Sequence, residues 1–346
     1  RLFYLITHIL TNSDLVSIIT PFKNSSKFLE ECLISIINQS YKTWELIMID
    51  DYSNDNSFDI ANKIAENDKR IKLYKNKGNK GIIHSLRLGL KKCSGNYITR
   101  MDSDDIMHED KIKELLNSLK KKGKGYVSTS KVKYFSKKGV GLGYKKYENW
   151  LNKMMEYNDN YDHIYKECVI PSPNWMIHID DLLNCSAFDS EIYPEDYDLV
   201  FRFYKNNIKI IPSQKTLHKW RDYPVRTSRA DSNYADNSFL DLKLKYFIEL
   251  NYDINKIVVI WGAGRRGKFL AKKLSALEID FVWVCNNPNK IDQIIYNKQL
   301  KSIEYLNQLK NYQSIITVAN DKSQLLINEF FKSKGLIKMK DYYFFC

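Results

Sequence analysis

The sequence lacks a long apolar run and paired cysteines. Its opening apolar stretch, residues 2–10, is too short to cross a bilayer, which takes about 20 residues, and no later stretch approaches that length. The six cysteines form no C-x-x-C pair, and several fall in periodic apolar segments where free thiols pack as small hydrophobic side chains. These absences favour the cytoplasm, with membrane-peripheral association and a segment upstream of Arg1 left open.

The length of 346 residues suits two domains, and the charge is unevenly spread between them. The whole chain carries a formal net charge of +13. Residues 255–346 contain 15 basic and 7 acidic residues, so +8 of that charge lies in the last part of the chain. A basic unit favours an anionic partner, either nucleic acid or a lipid-phosphate surface, although a solvated lysine-rich face explains the same count.

Two acidic motifs each follow an apolar segment that is typical of a buried strand. The run 102–105 (Asp-Ser-Asp-Asp) follows residues 96–100, and Asp50 and Asp51 follow residues 44–49. Clustered carboxylates repel one another unless a cation lies among them, and oxygen ligands suit Mn²⁺ or Mg²⁺. An acidic turn explains either motif alone, but in an open α/β sheet two such strand ends meet in one crevice. The pair therefore predicts a metal-bound phosphate site.

Strands and amphipathic helices alternate through the first 110 residues. The predicted strands cover residues 15–20, 44–49, 71–74 and 96–100, and the predicted helices cover residues 25–39, 57–67 and 82–93. Ser25 or Ser26 is the predicted cap of the first helix. Alternation of this length predicts an α/β fold with a mostly parallel sheet and helices on both faces.

In this order and spacing, the motifs resemble those of the family 2 glycosyltransferases of the GT-A fold. The resemblance rests on residues 16–24, 38–41, 49–55 and 101–105. It implies a nucleotide-diphospho-sugar transferase domain that uses a UDP-sugar as its donor. Such a domain would occupy most of the chain before the basic unit that begins at residue 255.

The resemblance also implies roles for single residues of the donor site. The implied nucleotide contacts are Thr20, Phe22, Asp50, Asp51 and Asp102. Asp104 and Asp105 are the implied ligands of Mn²⁺ or Mg²⁺. For Asp50 and Asp51 an Asx-turn before the next helix is an equally open explanation.

Glu195 and Asp196 stand just before an amphipathic stretch and resemble the family's Glu-Asp motif beneath the acceptor. The resemblance implies that Asp196 is the catalytic general base and that Glu195 positions it or contacts the acceptor. Acidic residues at a helix N-terminus also complement the helix dipole, which is compatible with catalysis and is the simpler alternative.

The segment after residue 217 departs in part from the family pattern. Trp220 and the arginine after it fit, but Tyr223 stands at the usual histidine position, which leaves His218 as a substitute metal ligand. Leu86 also replaces an arginine that many relatives carry. Guanidinium groups bind phosphate oxygens bidentately, although a solvated basic loop explains the same residues. The predicted diphosphate contacts are Arg221, Arg226 and Arg229.

The strand and helix pattern restarts near residue 255. A predicted strand over residues 257–261 leads into a G-x-G-x-x-G turn at 262–267, and the next strand covers residues 281–285. Asn286 stands where a dinucleotide site needs an acid, which favours a structural or binding appendage over an NAD site. The predicted domains are therefore 1–234 (transferase), 235–254 (linking helix) and 255–346 (a smaller Rossmann-like α/β domain).

The order of the whole chain resembles one subgroup, the N-acetylglucosaminyltransferase-like and queuosine-tRNA galactosyltransferase enzymes. We therefore expect an inverting, metal-dependent hexosyltransferase that moves a hexose or N-acetylhexosamine from a UDP-sugar to a glycan hydroxyl. Queuosine in tRNA is the alternative acceptor. A catalytically silent nucleotide-sugar-binding protein is disfavoured by the intact acidic motifs, and an NAD-dependent oxidoreductase by the missing ribose acid.

Overall fold

The computed structural model describes residues 14–226 and 239–346, which form parts of two compact units. The first unit comprises residues 1–160 and 169–232, and the second comprises residues 161–168 and 233–346. The segment 161–168, predicted above to belong to the first domain, thus groups with the second unit. The apolar stretch 2–10 and Arg229 lie outside the described residues.

The first unit is built on an eight-stranded sheet with the order β3-β2-β1-β4-β7-β6-β8-β5. Its strands are β1 (Val16–Phe22), β2 (Trp44–Asp50), β3 (Ile71–Lys75), β4 (Tyr97–Arg100), β5 (Ile106–Met107), β6 (Tyr126–Phe135), β7 (Trp175–His178) and β8 (Lys209–Arg221). Only β7 and β5 run antiparallel to their neighbours in this sheet. The predicted α/β class and the mostly parallel sheet are confirmed.

Helices cover both faces of this sheet. They are α1 (Leu29–Ile37), α2 (Ser57–Asn67), α3 (Ile82–Lys92), α4 (Lys111–Lys122), α5 (Leu142–Tyr157), α6 (Ile179–Asn184) and α7 (Glu195–Lys205). The predicted cap of α1 is wrong, because the helix begins at Leu29 with no side-chain cap. The hydroxyl of Ser25 instead lies 2.7 Å from that of Ser103, in the acidic motif.

Helix α5 lies along the part of β6 that β7 does not pair with. The side-chain amide of Asn152 bonds both the N–H and the C=O of Val132 at 2.9 Å, and Glu148 accepts the N–H of Tyr134. Four residues of helix rise about 6 Å and two of strand about 6.8 Å, so these positions stay in step. The first turn of α5 therefore lies at the end of β6 that pairs with the end of β8.

The second unit has a six-stranded sheet with the order β11-β12-β10-β9-β13-β14. Its elements are α8 (Leu240–Leu250), β9 (Ile257–Trp261), α9 (Arg265–Ala276), β10 (Phe281–Val284), β11 (Ile294–Ile295), β12 (Lys298–Lys301), β13 (Tyr312–Ile316), α10 (Asp321–Ser333) and β14 (Tyr342–Phe344). The predicted strand-turn-helix-strand order is present, and α8 lies within the predicted linking helix. No helix of the described residues is long and apolar enough to cross a membrane.

The segment 161–168 packs inside the second unit through an aromatic contact. The ring of Tyr165 stacks on that of Phe345, with centroids 5.2 Å apart and planes 6° apart. The Tyr165 hydroxyl donates to the side chain of Asn251 at 2.6 Å. A buried tyrosine needs such a partner for its hydroxyl, so this segment contributes core packing and a satisfied polar group together.

Candidate active site

Polar residues gather where four strands of the first unit end. Strands β1, β2, β4 and β8 run in the same direction, so the residues that follow them lie at one end of the sheet. This is the end at which open α/β sheets bind ligands. Asp50 ends β2 and Asp51 follows it, and the motif 102–105 follows β4. Arg221 ends β8, and Arg226 lies five residues further along the chain.

Asp50 and Asp51 both bond to nearby backbone or side-chain groups. Asp51 accepts the side-chain amide of Asn76 at 2.8 Å and the backbone N–H of Gly81 at 2.9 Å, so it orders the loop after β3. Asp50 accepts the N–H of Ser53 at 3.1 Å, which is the local turn that the sequence left open. The nucleotide contacts of both carboxylates stay predictions.

Thr20 and Phe22 are buried at the end of β1. Thr20 is fully buried, and Phe22 is 3% exposed within the hydrophobic core that α1 covers. Residues two apart on a strand share a face, so both side chains of β1 point beneath the crevice. Both side chains support the crevice from below, and their base-lining role stays a prediction.

Arg100 links the acidic motif 102–105 to Glu195 at the start of α7. Its Nε donates to Asp102 at 2.8 Å and its Nη1 donates to Glu195 at 2.9 Å. The side chains of Arg100 and Glu195 are only 8% and 5% exposed, so this is a buried ion pair. The two carboxylates raise the pKa of Arg100 above its ordinary value and keep it charged. An arginine that ends an apolar strand just before an acidic motif was the available sequence signal.

Asp196 has a strongly perturbed carboxyl group near the start of α7. Burial and the charge of Glu195 raise the pKa of Asp196 to about 7, against the opposing charge of Arg100. Its side chain is half-buried rather than enclosed. A carboxylate with a pKa near the working pH is well matched to accept a proton. The Arg100 contact makes Glu195 a positioning residue for this end of the helix.

Asp105 belongs to a fully buried chain of polar groups. Its Oδ1 accepts the N–H of Arg221 at 2.7 Å, and its Oδ2 lies 3.0 Å from Nε2 of His218. Nδ1 of His218 lies 3.1 Å from Nζ of Lys111, which also donates to the carbonyl of Pro173 at 2.7 Å. Burial lowers the pKa of Lys111 to about 7, against the charges of Asp105 and Asp102. Its amino group donates to Nδ1 in either protonation state, so Nε2 carries the ring proton toward Asp105. Burial and the charge of Lys111 lower the pKa of His218, in keeping with this neutral ring.

The contacts of Asp105 and His218 bear on their predicted metal roles, which stay predictions. Both side chains are 0% exposed, and both carboxylate oxygens of Asp105 already accept bonds from the protein. A metal ion at Asp105 would have to replace one of these bonds. Asp105 ties the end of β8 beneath the acidic motif.

Asp104 is the carboxylate of the motif that faces the crevice. It is half-buried, and its Oδ2 accepts the hydroxyl of Tyr223 at 2.8 Å. Burial and the neighbouring Asp105 raise the pKa of Asp104 to about 7, while the charge of Arg226 opposes this shift. Tyr223 stands at the family's usual histidine position. The bond from its hydroxyl to Asp104 was not predicted.

Arg221 is a structural clamp rather than an open anion contact. Its Nε donates to the carbonyl of Asp104 at 2.6 Å, and its Nη2 donates to Glu31 at 2.6 Å. The guanidinium lies 4.5 Å from the ring centroids of both Phe28 and Phe135. The predicted diphosphate role of Arg221 is therefore less favoured than a role in shaping the turn.

Arg226 remains a candidate for the diphosphate contact. Its guanidinium lies 4.8 Å from the ring centroid of Trp220, and its charge lowers the pKa values of Asp104 and Asp105. A cation held on an aromatic face beside carboxylates can exchange them for phosphate oxygens.

The residues present fit a hard divalent cation that is held partly by substrate. Within the residues described, no three His, Cys, Asp or Glu side chains group into a complete protein cage. Mg²⁺ in nucleotide sites typically takes one or two carboxylates and completes its shell with phosphates and water. Asp104, with Asp102 beside it, provides that donor set. A bound cation would offset the effect of burial, which raises the pKa of Asp104 by disfavouring its charged form.

The glycine turn of the second unit is shaped by packing. Gly262 has φ +123°, and a Cβ there would lie 2.5 Å from the hydroxyl of Thr317. A Cβ at Gly267 would lie 1.9 Å from the carbonyl of Gly262. The side-chain oxygen of Asn286 accepts Nε1 of Trp261 at 3.1 Å. Two of the three glycines and the residue at the acid position therefore serve the fold of this unit.

The sequence of the first unit matches a known family. Residues 17–182 match the family model described as glycosyl transferase family 2. This part of the chain is a family 2 glycosyltransferase domain.

Relatives in bacteria agree with this assignment. A glycosyltransferase of Haemophilus influenzae is 44% identical over 106 residues, which cover 31% of this chain and 42% of the relative. A second glycosyltransferase of that organism is 36% identical over 43% of this chain and 46% of its own length, so the chain spans less than half of these two relatives. Glycosyltransferase GlyG of Streptococcus pneumoniae is 26% identical over 60% of this chain and 71% of its own.

A solved structure agrees on the fold. The crystal structure of TarS from S. aureus, in complex with UDP-GlcNAc, superposes with a TM-score of 0.56 at 20% identity. The match covers 75% of this chain and 72% of the TarS chain. At this identity the likeness confirms the transferase fold alone.

Proposed function

We propose that this chain is an inverting, metal-dependent glycosyltransferase that moves a hexose or N-acetylhexosamine from a UDP-sugar to a hydroxyl of a glycan. One observation carries the proposal. Arg100 bonds Asp102 of the donor motif and Glu195 of the acceptor motif, and Asp196 beside Glu195 has its pKa raised to about 7. A general base and an acidic donor motif are thereby held together by one buried side chain.

Asp196 is the proposed general base. Its carboxylate takes the proton of the acceptor hydroxyl as that oxygen forms a bond to the anomeric carbon, while the bond from this carbon to the UDP oxygen breaks. Attack on the face opposite the leaving UDP inverts the anomeric configuration. Glu195, fixed by Arg100, holds the carboxyl group of its neighbour near neutral pKa.

The donor half of the site relies on Asp104 and Asp102. These two carboxylates would hold Mn²⁺ or Mg²⁺, which when bound neutralises the negative charge of the departing diphosphate. Arg226 adds a second positive charge on the same side. The fold shared with TarS, which was solved with UDP-GlcNAc, supports a UDP-sugar as donor.

A second acceptor, queuosine in tRNA, is favoured by one observation. Residues 255–346 carry 15 basic and 7 acidic residues, and a basic surface attracts nucleic acid. We also propose a cytoplasmic location, which is supported by the six cysteines, since all are free thiols.

The test is a panel of UDP-sugars with Mn²⁺, assayed for UDP release with glycan acceptors and with tRNA. Asp196→Asn keeps the shape of the side chain but cannot take the proton, so turnover should fall by about 10²-fold or more with UDP affinity nearly unchanged. Asp189→Asn, the same change at an exposed position before α7, is the matched control and should keep full turnover.

Three results would contradict the proposal. An Asp196→Asn enzyme with normal turnover would move the base elsewhere. Absence of UDP release from every donor would remove the transferase activity. Transfer to tRNA but to no glycan would select the second acceptor.

A further inference from the structure

A second surface beside the candidate active site remains without a role in the donor chemistry. It lies at the start of α5 and combines half-buried aromatic rings with exposed lysines. We call it the α5 ledge, and it consists of Tyr144, Tyr147, Trp150, Lys137, Lys138, Lys145 and Lys146.

The α5 ledge adjoins the arginine that faces the acidic motif. Tyr134 stacks on Trp220 with ring centroids 4.9 Å apart and planes 11° apart. Tyr144 lies 5.2 Å from Tyr134, and Tyr147 lies 6.3 Å from Trp220. Trp220 carries Arg226 on its face at 4.8 Å. The aromatic rings therefore run without a break from Arg226 to the first turns of α5.

The α5 ledge and the proposed base border the same crevice. Arg100 bonds Asp102 at 2.8 Å and Glu195, next to Asp196, at 2.9 Å. Tyr223, three residues before Arg226, donates to Asp104 of the same acidic motif at 2.8 Å. An acceptor chain whose hydroxyl reaches Asp196 can therefore extend past Arg226 toward α5.

Basic residues outnumber acidic ones in the segment that carries the α5 ledge. Residues 133–153 contain six lysines and one acidic residue, Glu148, which gives a net charge of +5. Glu148 is already bonded to the N–H of Tyr134 and to Lys133. The four lysines of the ledge pair with no carboxylate in residues 14–226 or 239–346. A concentrated positive field of this kind attracts an anionic ligand.

Aromatic rings beside lysines match the chemistry of a charged sugar chain. The C–H faces of a pyranose ring are apolar and pack on aromatic side chains, while lysines bind its carboxylate or phosphate groups. Resting on the proposed function, we infer that the α5 ledge is the acceptor subsite and that the acceptor is an anionic glycan. The ledge would hold the sugars behind the reacting one and set the preference for acidic chains.

The size of the α5 ledge favours a glycan over a folded RNA. From Tyr144 to Trp150 the helix rises about 9 Å, which is comparable with two sugar rings. Proteins that bind nucleic acid through its backbone neutralise about 6–10 phosphates over a wide surface. The ledge offers four lysines on one short segment.

The experiment measures binding of a galacturonic acid hexamer to the full chain by calorimetry at low and moderate salt. Maltohexaose, a neutral chain of the same length, and tRNA are the comparison probes. The acidic hexamer should bind more tightly than maltohexaose, and more weakly as salt rises. Lys145→Glu with Lys146→Glu should weaken its binding by about tenfold, and Trp150→Ala by about fivefold. UDP-sugar hydrolysis without acceptor should be unchanged in both variants.

Lys121→Glu with Lys122→Glu is the matched control, since it makes the same charge change on exposed lysines at the other end of β6. It should bind the hexamer like the unaltered chain. Equal binding of the acidic and neutral hexamers, or unchanged binding in both ledge variants, would overturn the inference. Tight tRNA binding that the ledge substitutions abolish would also overturn it and assign the surface to RNA. Absence of UDP-sugar hydrolysis in the unaltered chain would contradict the proposed function instead, because the binding measurement needs no donor.

Discussion

Two turns in this chain follow parallel strands in the same way but differ in how their polar groups are paired. In the first unit, the turn 102–105 leaves Asp104 facing the crevice with its pKa raised to about 7. In the second unit, the turn 262–267 is held by Lys290, which donates to Ala263 at 2.9 Å, and by Asn286 on Trp261. A turn after a parallel strand is therefore a candidate reactive site where it holds a buried carboxyl group whose charge is not fully compensated.

The largest expected effect comes from the crevice-facing carboxylate. Asp104→Ala should reduce turnover to background and weaken UDP binding in Mn²⁺, because the donor motif loses its open ligand. UDP release and UDP titration with and without Mn²⁺ measure this. Asn286→Ala, the corresponding change at the second turn, should keep full turnover. Normal activity of the Asp104→Ala enzyme, or of the unaltered enzyme in EDTA, would contradict the metal assignment.

The next effect concerns stability and the buried chain beneath the first turn. Lys111→Met removes the buried amino group that bonds His218 and the carbonyl of Pro173, which leaves two buried acceptors without a donor and should lower the free energy of unfolding by about 3 kcal/mol. Lys290→Met removes one bond from the second turn and should cost about 1 kcal/mol. Urea denaturation followed by tryptophan fluorescence compares the two variants. Equal losses would mean that the buried chain does not set the stability of the site.

A smaller effect is expected in the pH profile. Asp196 must be ionised to accept a proton, so the rate should fall as the pH drops below about 7. Glu195→Gln removes the charge that raises this pKa, so the acid limb should move to lower pH. Glu191→Gln makes the same change at an exposed position and should leave the limb in place. A limb that moves to higher pH in Glu195→Gln would contradict the assignment of the base.

The smallest expected effect is at the second turn. Titration of the full chain with NAD should give no binding at ordinary cofactor concentrations, because the acid that would hold a ribose is replaced by an asparagine bonded to Trp261. Asn286→Asp should also bind none if packing alone explains the turn. Saturable binding of NAD in calorimetry would make the second unit a dinucleotide site and remove the contrast between the two turns.

Much of the fold was predictable because buried parallel strands appear as continuous apolar runs. The predicted ends of β1, β2, β3 and β4 each lie within two residues of the ends in the structure. The predicted start of α1 at Ser25 or Ser26 was wrong, because Ser25 bonds a serine 78 positions away and the helix begins at Leu29. The placement of residues 161–168 depends on Tyr165 meeting Phe345, which no local pattern indicates.

The candidate site was predictable as a set of motifs and not as a set of contacts. Asp104 and Asp196 were found from motif resemblance. The link that Arg100 makes between Asp102 and Glu195 was missed, because Glu195 lies 95 positions further along the chain. Lys111 stands in a lysine-rich helix and gave no signal of the buried bond to His218.

The sequence by itself determined the family of the transferase domain, the strand order along the chain and the carboxylates that compete for each role. Only the tertiary structure gives Asp104 and Asp105, which are adjacent and chemically identical, different surroundings. Strand β8, more than a hundred residues later, bonds both oxygens of Asp105 and leaves Asp104 at the crevice. Burial and hydrogen bonding are properties of the environment, so identical side chains acquire different roles from the segments that fold against them.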